Sequence, residues 1–200
     1  MLLQGKKIGF VLTITQLGNT VILQEIEKIM FAGAELFIIL LDPKAKEEAI
    51  LDRFQGIFRY FSPEMRQKIT LNRAAPQIGP DHTFYYEDYP FLDLLIIVPD
   101  SEILLNFLEQ ITDENRFNLP LVLVTSLGNK PVLPWGRISS LMKKKGIFFV
   151  PFGPIELKQG KKRGNALIYS RMDLLTETCA AALKGHQLEP SAWEDLSFPH

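Results

Sequence analysis

The sequence is short of the residues on which most catalytic chemistry is built. With one cysteine and three histidines among 200 residues, Cys179 has no partner for an intramolecular disulfide. His82, His186 and His200 stand far apart and outside any metal-ligand spacing with Cys, Asp or Glu, so no metal is expected. The chain contains no G-x-S-x-G elbow, no Walker loop and no G-x-G-x-x-G. Nucleophilic hydrolysis, phosphoryl transfer and ordinary dinucleotide binding therefore each lack their usual marker. A net charge of −1 supplies no field for nucleic acid or an anionic membrane, and the cluster Lys143-Lys144-Lys145 reads as a solvated helix end. There is neither a basic-then-apolar leader nor an uncharged apolar run long enough to span a bilayer, so a cytoplasmic protein is expected. Cys179, beside Ala180 to Ala182 in a closing helix, reads as a small buried thiol rather than a nucleophile.

What the sequence does have is apolar material in a regular order. It is 46% hydrophobic with a mean hydropathy of +0.06, enough for one core, and a single domain is expected over residues 1–185 with a tail over 186–200 that carries Trp193 and Phe198. The organising stretch runs from Gly5 to Leu41. Ile8, Phe10, Val11 and Leu12 form a nearly continuous apolar run, the pattern of a parallel strand covered on both faces. In the helical run that follows, Ile22, Ile26, Ile29, Met30 and Gly33 recur at helical spacing, while Gln24, Glu25, Glu27 and Lys28 are placed on a wet side. Gly33 stops the helix and Glu35 to Leu41 forms the next strand. Strand, helix and strand in this order make a right-handed crossover unit.

Asp42-Pro43 opens a helix whose stripe includes Phe54, Phe58 and Phe61; with Tyr60 these aromatics fit a flat-ligand pocket or, with more weight, core or subunit interface. Ser62-Pro63-Glu64 resembles a fresh helix start. Residues Ile69 to Pro90 read as an irregular surface excursion with a Phe84-Tyr85-Tyr86 cluster. Leu92 to Val98 is the next buried strand, and Ser101 is placed to cap the helix after it. A strand at Leu121 to Val124 leads into the loop Ser126 to Pro134 and a helix up to Gly146. The last clear strand is Ile147 to Phe152, and a closing helix spans Met172 to Leu183.

Open α/β folds bind ligands at the carboxyl ends of their strands, which directs attention to three loops. Thr13 to Thr20 offers Thr13, Thr15, Gly18, Asn19 and Thr20. Pro99 to Ser101 offers only Ser101, for which helix capping is the simpler reading. Thr125 to Asn129 offers Thr125, Ser126, Gly128 and Asn129. A phosphate needs backbone N–H groups, glycines and hydroxyls at a helix start; for the first and third loops a phosphate site and plain turn chemistry stay open side by side.

The words Gly5-Lys-Lys-Ile-Gly-Phe-Val-Leu-Thr, Glu25-Ile-Glu-Lys with Gly33-Ala-Glu, Phe149-Val-Pro-Phe-Gly153, Met172-Asp-Leu-Leu and Ala180-Ala-Ala-Leu-Lys-Gly-His-Gln-Leu-Glu-Pro190 together resemble the B-subunit family of dipicolinate synthase. That family belongs to the flavoprotein superfamily that includes FMN-binding cysteine decarboxylases. The most specific part is the final one, small residues followed by Leu-x-Gly-x-Gln-x-x-Pro. The resemblance implies a three-layer α/β/α sandwich with a mainly parallel sheet, flavodoxin-like or Rossmann-like, in a homo-oligomer. It also implies FMN as cofactor, an NADPH-dependent A subunit as partner, and formation of dipicolinic acid from dihydrodipicolinate in the mother cell of a spore-forming bacterium.

Carried over residue by residue, the resemblance puts the cofactor contacts on Thr13, Thr15, Gln16, Ser101, Thr125, Ser126, Gly128 and Asn129, and it assigns no catalytic residue. The departures fall on these same loops. Where the family has Gly-Ser-His-Cys-Thr, this chain has Ile14-Thr15-Gln16-Leu17-Gly18, and where the family has Pro-Cys-Thr-Gly-Asn-Thr it has Pro99-Asp100-Ser101-Glu102-Ile103-Leu104. Asp100 and Glu102 bring negative charge toward any phosphate. The family's Asn-Ser-Leu also loses its serine at Asn165-Ala166-Leu167. The expectation is a divergent B-type subunit whose flavin site is weakened or lost. The alternatives are an FMN-binding flavoprotein acting on another small substrate, and a non-catalytic assembly or partner-binding protein that uses the aromatic segments.

Overall fold

In a computed structural model of the chain, residues 1–13, 15–40, 52, 54–56, 58–72, 91–99, 101–113, 119–127, 130–131, 135–154 and 168–188 are described. The strands are β1 (Lys7–Leu12), β2 (Glu35–Leu40), β3 (Ile69–Asn72), β4 (Leu94–Ile97), β5 (Leu121–Leu123), β6 (Ser126–Leu127), β7 (Lys130–Pro131), β8 (Ile147–Phe149), β9 (Phe152–Pro154) and β10 (Ile168–Ser170). The α-helices are α1 (Thr20–Phe31), α2 (Pro63–Arg66), α3 (Glu102–Asp113), α4 (Trp135–Leu141) and α5 (Leu175–Ala182).

A six-stranded sheet in the order β3-β2-β1-β4-β5-β8 is parallel throughout. Because β3 lies outside β2 and β4 is the second neighbour of β1, the order is that of the doubly wound dinucleotide-binding fold. A flavodoxin-like sheet would instead set its third strand beside the first. Side chains alternate along each strand. Ile8, Phe10, Leu12, Leu94, Ile96 and Val98 enter a core shared with α1 and α5. Val11, Leu95 and Ile97 enter a second core shared with α3 and α4. The three-layer α/β/α sandwich follows directly. Gly9 is required by the packing in the second core, since a Cβ there would collide with Leu95 Cδ2 and come within 2.9 Å of Leu92 Cδ1.

Local chemistry sets the element ends. Gly33 terminates α1 in the left-handed region at φ +102°, and Ser62 caps α2 by accepting from Met65 N at 3.3 Å. Asp93 fixes the start of β4 to β1, with its carboxylate accepting from Lys7 N at 2.8 Å and from Lys6 Nζ at 3.0 Å. Burial works against that charge, but the Lys7 amide and the Lys6 ammonium outweigh it and hold the carboxyl below its ordinary range.

Several expectations need correction. Ile69 to Asn72 is not irregular but forms the outer strand of the sheet beside β2. The run Ile147 to Phe152 is two strands rather than one: β8 closes the main sheet, and β9 pairs antiparallel with β10, the break falling at Pro151, which has no N–H for a ladder. The closing helix begins as a 3-10 turn at Met172–Leu174 before α5. Phe54 and Phe61 belong to the first core while Tyr60 is exposed. The Phe84 to Tyr86 cluster and Trp193 and Phe198 of the tail lie outside the described residues. Among the described residues, no helix is long and apolar enough to cross a membrane.

Glu25 is not on a wet face. Its side chain is 4% exposed, Oε1 pairs with Lys28 Nζ at 2.6 Å, and Oε2 has no partner among the described residues. Burial pushes its carboxyl above the ordinary value of 4.5, with Asp173 and Glu177 adding to the rise and Lys28 only partly offsetting it. A raised folded-state value means that Glu25 favours the fold below the ordinary carboxylate range and that this contribution is lost as pH rises through the raised value. Denaturant melts should therefore show Glu25→Gln more stable than the parent at neutral pH, with the difference closing as pH falls through the carboxylate range.

The other end of the sheet is closed by a side chain. Gln187 Oε1 accepts from Phe149 N at 2.8 Å and Gln187 Nε2 donates to Phe149 O at 2.7 Å, so one carboxamide reproduces the pairing of an added strand on β8. Gln187→Ala removes both part-buried bonds and should cost about 1–3 kcal/mol in a urea melt. Amide exchange should rise at Phe149.

Candidate functional site

The doubly wound order places the switch point between the carboxyl ends of β1 and β4, where such folds hold ligands. The chain leaves β1 through a tight turn. Thr13 O accepts from Gln16 N at 3.1 Å and Leu17 N at 3.3 Å, giving the 3-10 turn Gln16–Gly18, and Leu17 drops into the first core. The Gln16 side chain turns back under this loop. Its Oε1 accepts from Thr13 N at 2.9 Å and its Nε2 donates to Val98 O at 2.7 Å, and the residue is 3% exposed. It thus ties the end of β1 to the end of β4 across the switch point. Thr13 Oγ1 lies 2.8 Å from Thr15 Oγ1, and Thr15 faces solvent.

The start of α1 is likewise engaged. Asn19 is its cap, with Oδ1 accepting from Val21 N at 2.9 Å and from Ile22 N at 3.4 Å. These are first-turn amides of the kind that a bound phosphate uses. At the end of β4, Ser101 Oγ accepts from Leu104 N at 3.3 Å, the capping role expected of it. Thr125, past β5, is buried; its N donates to Ser170 Oγ at 3.1 Å and its Oγ1 lies 3.1 Å from the same atom.

The fold therefore brings Thr13, Thr15 and Gln16 into one hydrogen-bonded unit with Val98. It sets Ser101 at the neighbouring strand end. Thr125 is two strands from β1, about 10 Å away at usual strand spacing. Ser126 opens the small antiparallel pair β6–β7, while Gly128, Asn129 and Asp100 lie outside the described residues. Val98 and Ser170 are partners the sequence reading did not name, while Asn19, offered by the first loop, serves as the cap of α1. Asn19 before an apolar helical run is a readable cap signal, but nothing local marks the pairing of Ser170 with a threonine 45 positions away. Cys179 is fully buried, and burial pushes its thiol well above the ordinary value. Among the described residues no group of three or more His, Cys, Asp or Glu is placed to hold a metal.

The chain is similar to the B subunit of dipicolinate synthase from Bacillus subtilis (strain 168), with 27% identity over 203 residues and 94% of each chain covered. The crystal structure of the Bacillus halodurans B subunit of dipicolinate synthase matches with a TM-score of 0.56 and 23% identity, over 95% of this chain and 97% of that one. This second likeness carries the fold. No family model matches the chain. The resemblance drawn from the motifs is therefore to the same protein, at the distance of a divergent relative.

Because Asn19 already satisfies two amides of α1, its removal should act as loss of a helix cap. Asn19→Ala is expected to lower stability by about 1 kcal/mol, and Asn19→Ser should recover most of that loss in the same denaturant melt.

Proposed function

From this full-length similarity to the B subunit of dipicolinate synthase, we propose that the chain is a B-type subunit that assembles with an NADPH-dependent A-type subunit. In this role it contributes to dipicolinic acid formation from dihydrodipicolinate in the mother cell of a spore-forming bacterium, and its own flavin site is weakened or lost. One observation supports the second half of this reading: among the described residues at the carboxyl ends of β1, β4 and β5, several groups that would meet a nucleotide are paired within the chain. Gln16 holds Thr13 N and Val98 O, Asn19 holds the first amides of α1, Ser101 holds Leu104 N, and Ser170 holds Thr125. A phosphate arriving there must displace these bonds, and each displacement subtracts from affinity.

FMN, if held, would meet Thr13, Thr15, Gln16, Ser101 and Thr125, with Ser126, Gly128 and Asn129 continuing the third loop. Among Thr13, Thr15, Ser101 and Thr125, Thr15 is the exposed one. Bound flavin would supply hydride or electron transfer; without it the chain acts through assembly.

Flavin fluorescence titration of the purified protein is the test, run alongside Thr15→Ala and alongside co-purification with an A-type subunit. The expected result is no saturable quenching up to high-micromolar FMN, together with capture of the A-type subunit. Saturating quenching that weakens in Thr15→Ala would overturn the lost-site reading, and failure to capture the A-type subunit would overturn the partner.

A further inference from the structure

Gln16 satisfies two backbone groups that face each other across the switch point, one donor (Thr13 N–H) and one acceptor (Val98 C=O). A carboxamide answers such a pair because it carries an acceptor and a donor side by side in one plane. Lactams, imides and primary carboxamides present the same edge, whereas a phosphate or a carboxylate is acceptor-only and leaves Val98 O unanswered. The pair lies among buried residues: Val98 and Leu17 are fully buried, and Thr13 is nearly so. Within a buried setting an unmatched amide or carbonyl is costly, so whatever fills the place must match both.

We propose that Thr13 N–H and Val98 C=O form an amide-recognition pair at the switch point, and that the Gln16 carboxamide is its built-in occupant. The residue thereby sets what the crevice accepts. With Gln16 in place the crevice is closed; with the side chain cut back it takes a small planar ligand bearing an amide, lactam or imide edge. This assignment deepens the lost-site reading and rests on it, because it names the group that closes the site.

The test uses acetamide, which replaces what Gln16→Ala removes, and nicotinamide as a larger planar carboxamide. Thermal melts of the parent, Gln16→Ala and Gln16→Met are recorded against each probe. Gln16→Met keeps the volume and loses both hydrogen bonds. Saturable stabilisation of Gln16→Ala by acetamide is expected, with Gln16→Met and the parent unmoved. The apparent affinity of Gln16→Ala for nicotinamide should exceed the parent's by at least about tenfold, since the competing internal occupant is gone. A folded Gln16→Ala that responds to neither probe would overturn the proposal, as would equal responses from Gln16→Ala and Gln16→Met. Should Gln16→Ala fail to fold alone, refolding in acetamide decides in the same way, recovery supporting the assignment and continued failure overturning it. Failure of the underlying reading looks different, because it appears as FMN binding by the parent whatever Gln16→Ala does.

Discussion

Strand β1 is hydrogen-bonded to a neighbour on each side and covered on both faces, and the rest of the molecule answers that constraint. A strand with no wet face must have two helical layers, so α1 and α5 lie on one side and α3 and α4 on the other. Two layers require that the chain cross over after each central strand, and these crossovers generate the doubly wound order. At its carboxyl end β1 must leave the sheet between the two layers. The backbone there has little access to water, and its polar groups need partners from within the chain. Gln16 is that answer at Thr13 and Val98: the burial that makes the sheet stable also creates the demand that this side chain meets, while Asn19 caps the more exposed start of α1.

The same device recurs elsewhere among the described residues. Ser62 and Ser101 close helix starts, Ser170 meets Thr125 past β5, and Gln187 meets Phe149 at the margin of the sheet. Among the described residues, Ser62, Ser101, Ser170 and Gln187 are occupied with the protein's own backbone.

Much of the fold was legible because its strongest signals are local. The apolar runs at Ile8 to Leu12, Leu36 to Leu40 and Leu94 to Val98 are too continuous for half-wet strands, and Gly33 marks the end of α1 by backbone geometry alone. What escaped notice depends on contacts distant in sequence. Ile69 to Asn72 is a four-residue outer strand beside proline-rich polar sequence, so nothing in its own composition outweighed its neighbours. Glu25 falls on the polar side of α1 by periodicity and is covered only because the carboxyl-terminal helix returns to that face. The candidate loops follow from strand order alone, but which of their groups are already engaged could not be read, since the partners Val98 and Ser170 lie 82 and 45 positions away. Gln187 stood inside the most specific motif, yet its role became visible only with β8 beside it.

The two-bond clasp of Gln187 on Phe149 also bears on how copies of this chain can be put together. A parallel sheet with a bare margin is a template, and it lengthens whenever another extended segment finds it. Here the template is already read at Phe149 by a side chain from the same molecule. A segment that lengthened the sheet at this residue would first have to displace the Gln187 carboxamide from Phe149.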